Sequence, residues 1–327
     1  MRAVRCHELS GPDALVVDEV PDPVPGPGEV LIDVAAAGVN FPDLLITRGE
    51  YQMKPALPFV PGAEAAGTVR AVGEGVSRVA AGDRVVATMM LGAFAERAVA
   101  PEATVAKLPD GVDFTTAAGF PITYGTTHHA LVERARLQPG ETLLVLGAAG
   151  GVGLSAVDVG KALGAKVIAA ASSAEKLELC RARGADETID YSSESLKDRA
   201  KALSGGGVDV VYDPVGGALS EQALRATGWK GRFLVLGFAS GNIPSVPLNL
   251  VLLKGCELVG VFWGQAVMRN PDGMRESLEE LLDWLAAGKL HPHVDETFPL
   301  ERAKDALQRI EQRQAKGKLV LEPSVTG

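Results

Sequence analysis

The chain of 327 residues holds only three cysteines, Cys6, Cys180 and Cys256, and five histidines. The wide cysteine spacing fits neither a CxxC redox pair nor a zinc knuckle, so buried thiols are the expectation. No run approaches the roughly 20 uninterrupted apolar residues that a membrane helix requires. Met1-Arg2-Ala3-Val4-Arg5 passes into Cys6-His7-Glu8 without the apolar core of a secretion signal. A cytoplasmic protein with no membrane partner is expected. Excess positive charge is absent too: 32 Lys and Arg face 41 Asp and Glu, a net charge of −9. That balance gives no long-range attraction for nucleic acid. A small molecule is the expected partner.

What is present is an ordinary globular composition, 46% hydrophobic and 22% charged, on a chain long enough for about two domains. Up to about residue 110 the sequence reads as short strands between Gly and Pro turns: Glu29 to Val34, Gly67 to Val72, Asp83 to Ala87 and Phe94 to Val99. This predicts a β-barrel or sandwich. From Thr142 the rhythm becomes strand, turn, helix. Candidate strands are Thr142 to Leu146, Lys166 to Ala170, Glu187 to Asp190, Val208 to Tyr212, Arg232 to Leu236 and Glu257 to Val261. Such alternation predicts an α/β fold with helices on both faces of a parallel sheet. Val152 to Leu163 and Ala174 to Arg183 carry helical spacing, as do Arg275 to Ala287 and Glu301 to Arg313, and a short strand closes the chain at Leu319 to Leu321.

Directly after Thr142-Leu143-Leu144-Val145-Leu146 stands Gly147-Ala148-Ala149-Gly150-Gly151-Val152-Gly153, opening a helix. Glycines there let a pyrophosphate approach the main chain and let the helix pack closely, while amides at the helix start face the anion. A bare glycine triplet is also compatible with a plain tight turn. The flanking strand and helix favour dinucleotide binding.

A site for NADH normally places a carboxylate at the end of the second strand. This chain has Ala170-Ala171-Ser172-Ser173 there, with Lys176 one turn on and Tyr191 past the third strand. Two hydroxyls and a cation suit a 2′-phosphate, so NADPH is the expected cofactor. Ser172-Ser173 also suits a helix cap, which is compatible with that reading.

The glycine turn, Ser-Ser-x-x-Lys, Asp213-Pro214-Val215-Gly216-Gly217 and Gly38-Val39-Asn40-Phe41-Pro42-Asp43 together resemble the medium-chain dehydrogenase/reductase superfamily, in its zinc-independent quinone oxidoreductase (ζ-crystallin-like) branch. Pro61 to Gly67, Gly82-Asp83-Arg84-Val85 and Gly317-Lys318-Leu319-Val320 match as well. The resemblance implies a GroES-like β-barrel catalytic domain at residues 1–121 and 262–327, interrupted by a Rossmann domain with a doubly wound, six-stranded parallel sheet at 122–261. A homodimer pairing edge to edge near Val259-Gly260-Val261 is also implied. The zinc alcohol dehydrogenases of the superfamily carry a cysteine ligand where Asn40 stands and Gly-His-Glu where Gly62-Ala63-Glu64 stands. Zinc needs three or four convergent donors. His128 and His129 point about 100° apart on a helix and His291 and His293 flank a proline, so no metal is expected.

Carried over by position, the resemblance puts Asn40 beside the nicotinamide ribose, Thr127 near the nicotinamide, and Gly150, Gly151 and Val152 on the pyrophosphate. Ser172, Lys176 and Tyr191 would hold the 2′-phosphate. Phe238 and Ala239 would run alongside the cofactor, Phe262 and Trp263 would contact the carboxamide, and Lys318 would reach it from the returning chain. Tyr51 matches a tyrosine that could donate or orient a proton, while a second family tyrosine stands here as Ile46. Phe238 and Phe262 read equally well as core aromatics, Lys318 as a solvated charge and Asn40 as a turn residue. The implied function is NADPH-dependent reduction of a quinone or similar conjugated carbonyl. Alternatives are C=C reduction in an enone or enoyl-thioester, and an NADPH-binding structural protein with little turnover.

Overall fold

The computed structural model describes residues 1–323. Two units separate by their contacts: one comprises Met1–Ile122, Ala266–Ala287 and the chain from His293 onward, the other Thr123–Gln265 and Gly288–Pro292.

In the first unit, β1 (Arg2–Cys6) and β2 (Leu15–Glu19) form an antiparallel hairpin. The remaining strands form one mixed sheet: β3 (Glu29–Val39), β4 (Glu64–Val72), β5 (Arg84–Thr88), β6 (Arg97–Pro101), β7 (Val105–Lys107) and the returning β14 (Val294–Pro299) and β15 (Lys318–Glu322). The long β3 organises it. One edge runs along β4; the other is shared, Glu29 to Asp33 pairing with β6 and Ala37 to Val39 with β15. Register shifts near Leu31 and Val34 bend the strand so that it can serve both partners. The helices here are α1 (Phe41–Thr47), α2 (Phe114–Ala118), α10 (Pro271–Ala286) and α11 (Ala303–Glu311). Val4, Cys6, Leu44, Phe94, Phe298, Leu307 and Leu319 are among the residues of one core; Val30, Ile32, Val69 and Val85 belong to a second.

The second unit carries β8 (Thr142–Leu146), β9 (Lys166–Ala171), β10 (Glu187–Asp190), β11 (Val208–Asp213), β12 (Thr227–Val235) and β13 (Glu257–Gly260). Their order is β10-β9-β8-β11-β12-β13, and every pairing is parallel. All five residues of β8 are buried, which is why its sequence is a continuous apolar run rather than an alternation. The crossover helices are α4 (Gly151–Ala162), α5 (Ala174–Ala182), α6 (Leu196–Ser204), α7 (Ala218–Ala226) and α8 (Leu248–Lys254). In the chain, α3 (Pro121–His128) precedes these strands and α9 (Trp263–Arg269) follows them. Strand order reverses at β8, where β9 and β11 depart on opposite sides, and in such sheets that point is where ligands bind.

Candidate cofactor site and buried polar cluster

The glycine turn after β8 is shaped by contacts that exclude side chains. A Cβ on Gly153 would lie 2.3 Å from the Gly147 oxygen and 2.7 Å from the Ala148 Cα. Gly147 itself has φ of +58°, where only glycine rests without strain. Gly150 is the N-cap of α4 and offers no side chain to its first amides. The amides of Gly151 and Val152 thus open the helix with no intrahelical acceptor, as helix geometry dictates, and the dipole of a 12-residue helix adds positive potential there.

At the end of β9, Ser173 caps α5 by accepting from the Lys176 amide, and Ser172 stays exposed. The Tyr191 amide donates to Ala171 O at 3.1 Å, bringing Tyr191 to the end of β9 beside Ser172. No carboxylate ends β9, whose last residues are Ala169, Ala170 and Ala171. After β11, the Asp213 carboxylate accepts from the Val215 and Gly216 amides at 2.8 and 2.9 Å and from the Ser220 hydroxyl at 2.5 Å. Burial raises the pKa of that carboxyl, and the three donors oppose the shift. The segment holding Phe238 and Ala239 is tied to this loop: Ala239 N donates to Pro214 O and Ser240 N to Val215 O. Past β13, Phe262 is half exposed and the Trp263 ring lies against Gly125, where a Cβ would sit 2.8 Å from the indole. Gly150 to Val152, Ser172, Tyr191, Phe238, Ala239, Phe262 and Trp263 therefore all lie at or just past the carboxyl ends of the parallel strands.

Thr127 is wholly buried. Its hydroxyl shares hydrogen bonds with Ser155 (2.7 Å) and Tyr212 (2.9 Å), and Ser155 also donates to main-chain carbonyls. Sequence reading missed this chain of hydroxyls because its members come from α3, α4 and β11.

In the first unit Asn40, Asp43, Glu64 and Lys318 form a buried cluster, none more than 7% exposed. Lys318 Nζ donates to Glu64 Oε1 (2.6 Å), Asn40 Oδ1 (2.8 Å) and Val39 O (3.0 Å). Asn40 Nδ2 donates to the same Glu64 Oε1 at 2.8 Å, while Glu64 Oε2 accepts from the Ile122 amide at 2.8 Å. The Asn40 amide donates to Asp43 Oδ2, but Asp43 Oδ1 has no partner. Desolvation pushes the Asp43 carboxyl up to about 7; the Glu64 charge adds to the rise, and the Asn40 amide and Lys318 oppose it. Tyr51, half-buried against the core, holds its proton more tightly than usual through burial and the Asp43 charge. Asp43 and Glu64 had no assigned role at the level of sequence. The capping spacing of Asn40 and Asp43, three apart before an apolar helix, was the available signal for the first.

Comparison with known proteins follows this architecture. Residues 26–110 match the family described as "Alcohol dehydrogenase GroES-like domain", and residues 151–287 match "Zinc-binding dehydrogenase". Quinone oxidoreductase-like protein 2 of Mus musculus is 45% identical over 98% of this chain and 91% of its own length. The quinone oxidoreductase of Pseudomonas aeruginosa is 38% identical, covering 98% and 99%. The solved structure of Escherichia coli quinone oxidoreductase complexed with NADPH superposes with a TM-score of 0.93 at 33% identity, covering 99% of this chain and 100% of that one. The second family description raises the question of zinc, and the residues present do not fit it. Asn40 and Glu64 already surround an ammonium, Ala63 brings no donor, and among the described residues no three His, Cys, Asp or Glu side chains converge. With this identity sustained over nearly its whole length, the chain belongs to the medium-chain dehydrogenase/reductase superfamily, in the quinone oxidoreductase branch.

Proposed function

We propose that the protein is an NADPH-dependent quinone reductase working without zinc, with a flat, conjugated carbonyl compound as its acceptor. The observation that carries this reading is the carboxyl end of the parallel sheet. An uncapped, side-chain-free helix start follows the first strand, and the second strand ends in alanines followed by two serines rather than an acid. Those residues fit a dinucleotide bearing a 2′-phosphate. Gly150, Gly151 and Val152 take the pyrophosphate, and Ser172, Lys176 and Tyr191 take the 2′-phosphate. Phe238, Ala239, Phe262 and Trp263 line the cofactor's path, with Thr127 near the nicotinamide. Asn40 takes the nicotinamide ribose, and Tyr51 orients the acceptor. NADPH when bound supplies the hydride. The side chains hold and orient, exclude water, and in Tyr51 offer a hydroxyl that keeps its proton. The neighbours solved or named as quinone oxidoreductases support this choice of acceptor. A second copy of the chain is the proposed protein partner.

The test is an acceptor screen on purified protein with both reduced cofactors, following the absorbance of the nicotinamide. Quinones are expected to be reduced with NADPH preferred. Turnover confined to enones or enoyl-thioesters would move the assignment to C=C reduction. Tight NADPH binding without turnover of any acceptor would make the protein a binding protein. Zinc near one equivalent per chain after gentle purification would overturn the metal-free part.

A further inference from the structure

The polar cluster of the first unit has a feature that sequence does not suggest for Lys318: all three protons of its ammonium are committed, to Glu64, Asn40 and Val39. The acceptors surround one point, as oxygen ligands surround a cation. Room for them is made by glycine. A Cβ on Gly38 would lie 2.2 Å from Glu64 Oε1, and one on Gly119 would lie 3.1 Å from Lys318 Cγ. Glu64 is fully buried, and a lone buried carboxylate is untenable without a cation. The pair also settles which way the Asn40 amide faces, its oxygen toward the ammonium and its nitrogen toward the carboxylate. The second amide proton of Asn40 faces Gly38 O at 3.4 Å, so the carboxamide is held on both sides.

We propose that Lys318 and Glu64 are positioning residues: the Lys318 ammonium is a resident cation that, paired with Glu64, fixes the Asn40 carboxamide for the reaction and does not itself bind the cofactor. This rests on the assignment of Asn40 to the nicotinamide ribose made above. It also gives a physical reason against a metal at this point: a fixed positive charge already occupies the oxygen-lined position.

The experiment is a double-mutant cycle between Lys318→Met and Asn40→Ala, read as kcat and as KM for NADPH. Lys318→Met is expected to lower kcat by about tenfold to a hundredfold, the scale of a misplaced positioning group, with KM for NADPH changed by less than about twofold. The double variant should be no slower than Asn40→Ala alone, because Lys318 acts through Asn40. A KM for NADPH that Lys318→Met raises as much in the Asn40→Ala background as in wild type would make Lys318 a direct cofactor ligand and overturn the proposal. Additive losses in the double variant would overturn it too, while leaving the assignment of Asn40 standing. Asn40→Ala with unaltered kcat and KM would instead remove that assignment and the proposal with it. If the single lysine variant fails to fold with Glu64 left uncompensated, Glu64→Gln/Lys318→Met removes both charges together and should fold. That variant must show the same loss in kcat, and wild-type turnover from it would end the proposal.

Discussion

Asp43 occupies the third position of α1, accepts a hydrogen bond from the Asn40 amide through one oxygen and leaves the other without a partner. Its pKa stands at about 7 in the fold against a reference of 3.8, mainly because the carboxyl is desolvated. The proton is therefore bound more tightly in the folded state than in the unfolded one. Sign follows from that: the favourable contribution is complete below about pH 4 and is lost as pH rises toward 7 and beyond. At about 1.4 kcal/mol per unit, ionising Asp43 in place costs about 4 kcal/mol. Asp43→Asn keeps an oxygen acceptor for the Asn40 amide and removes the titration. The melting temperature of this variant relative to wild type is expected to climb by a few degrees between pH 4 and pH 8. A difference that does not change with pH would show that Asp43 is not titrating in this range. Little of this was legible in the sequence. Asn40 and Asp43 are close in the chain, but Glu64 and Lys318 reach them from 24 and 278 residues beyond Asn40, and no local pattern encodes such a meeting. Ser172 and Ser173 were legible because capping and exposure at a strand end are local matters.

At the level of elements, the glycine turn was readable before the fold because each glycine answers a nearby steric demand. Gly153 is the sharpest case. Its missing side chain lets α4 sit on the Gly147–Ala148 backbone, and a methyl group would collide with atoms at 2.3 and 2.7 Å. Those atoms are main chain and cannot rotate away. Gly153→Val is expected to weaken NADPH binding at least about tenfold, equivalent to about 1.4 kcal/mol, and to lower the melting temperature, as calorimetry and thermal unfolding would show. Affinity equal to wild type would remove the turn from the site. Lys176→Ala addresses α5: KM for NADPH should rise about tenfold or more, from loss of a charge-assisted contact, with little change for NADH. Equal changes for the two cofactors would refute the 2′-phosphate role. Other elements were hidden. The strand expected from Arg232 begins at Thr227, because Lys230 at φ of +60° and a register shift break the alternation that periodicity relies on. The strand expected to end at Val34 continues through Ala35-Ala36-Ala37-Gly38 to Val39, small residues whose burial against strands on both edges leaves no polar–apolar pattern. Phe94, expected to begin a strand, is instead buried just before β6, with its amide bonded to Pro61 O.

The whole molecule presents one surface that a lone chain leaves wet. β13 is the last strand of the parallel sheet, and among the described residues it pairs only with β12, leaving its outer edge without a strand beside it. Next to it in sequence, α8 turns Leu248, Leu252 and Leu253 outward at 72, 79 and 71% exposure, and Ile243 stands at 77%. Scattered exposed apolar side chains are ordinary, but three leucines and an isoleucine in the stretch leading into the edge strand form the kind of patch that marks a partner surface. A second copy of the chain, the partner proposed above, would satisfy the edge by pairing β13 with its twin and could cover the exposed side chains of α8. Light scattering should therefore give the mass of two chains for the wild type. Leu252→Lys puts a charge where an apolar contact is proposed, and burying it there would cost stability in the assembly. The variant is expected to shift to the mass of one chain at micromolar concentration, and a modest fall in melting temperature should accompany the shift as the concentration-dependent stabilisation disappears. The proposed 2′-phosphate residues lie at the ends of β9 and β10, on the opposite side of the strand order from β13. Calorimetric affinity for NADPH should consequently survive the change of mass. A wild type that weighs as a single chain would remove the second copy from the proposed partners, and the exposed leucines of α8 would then need another cover.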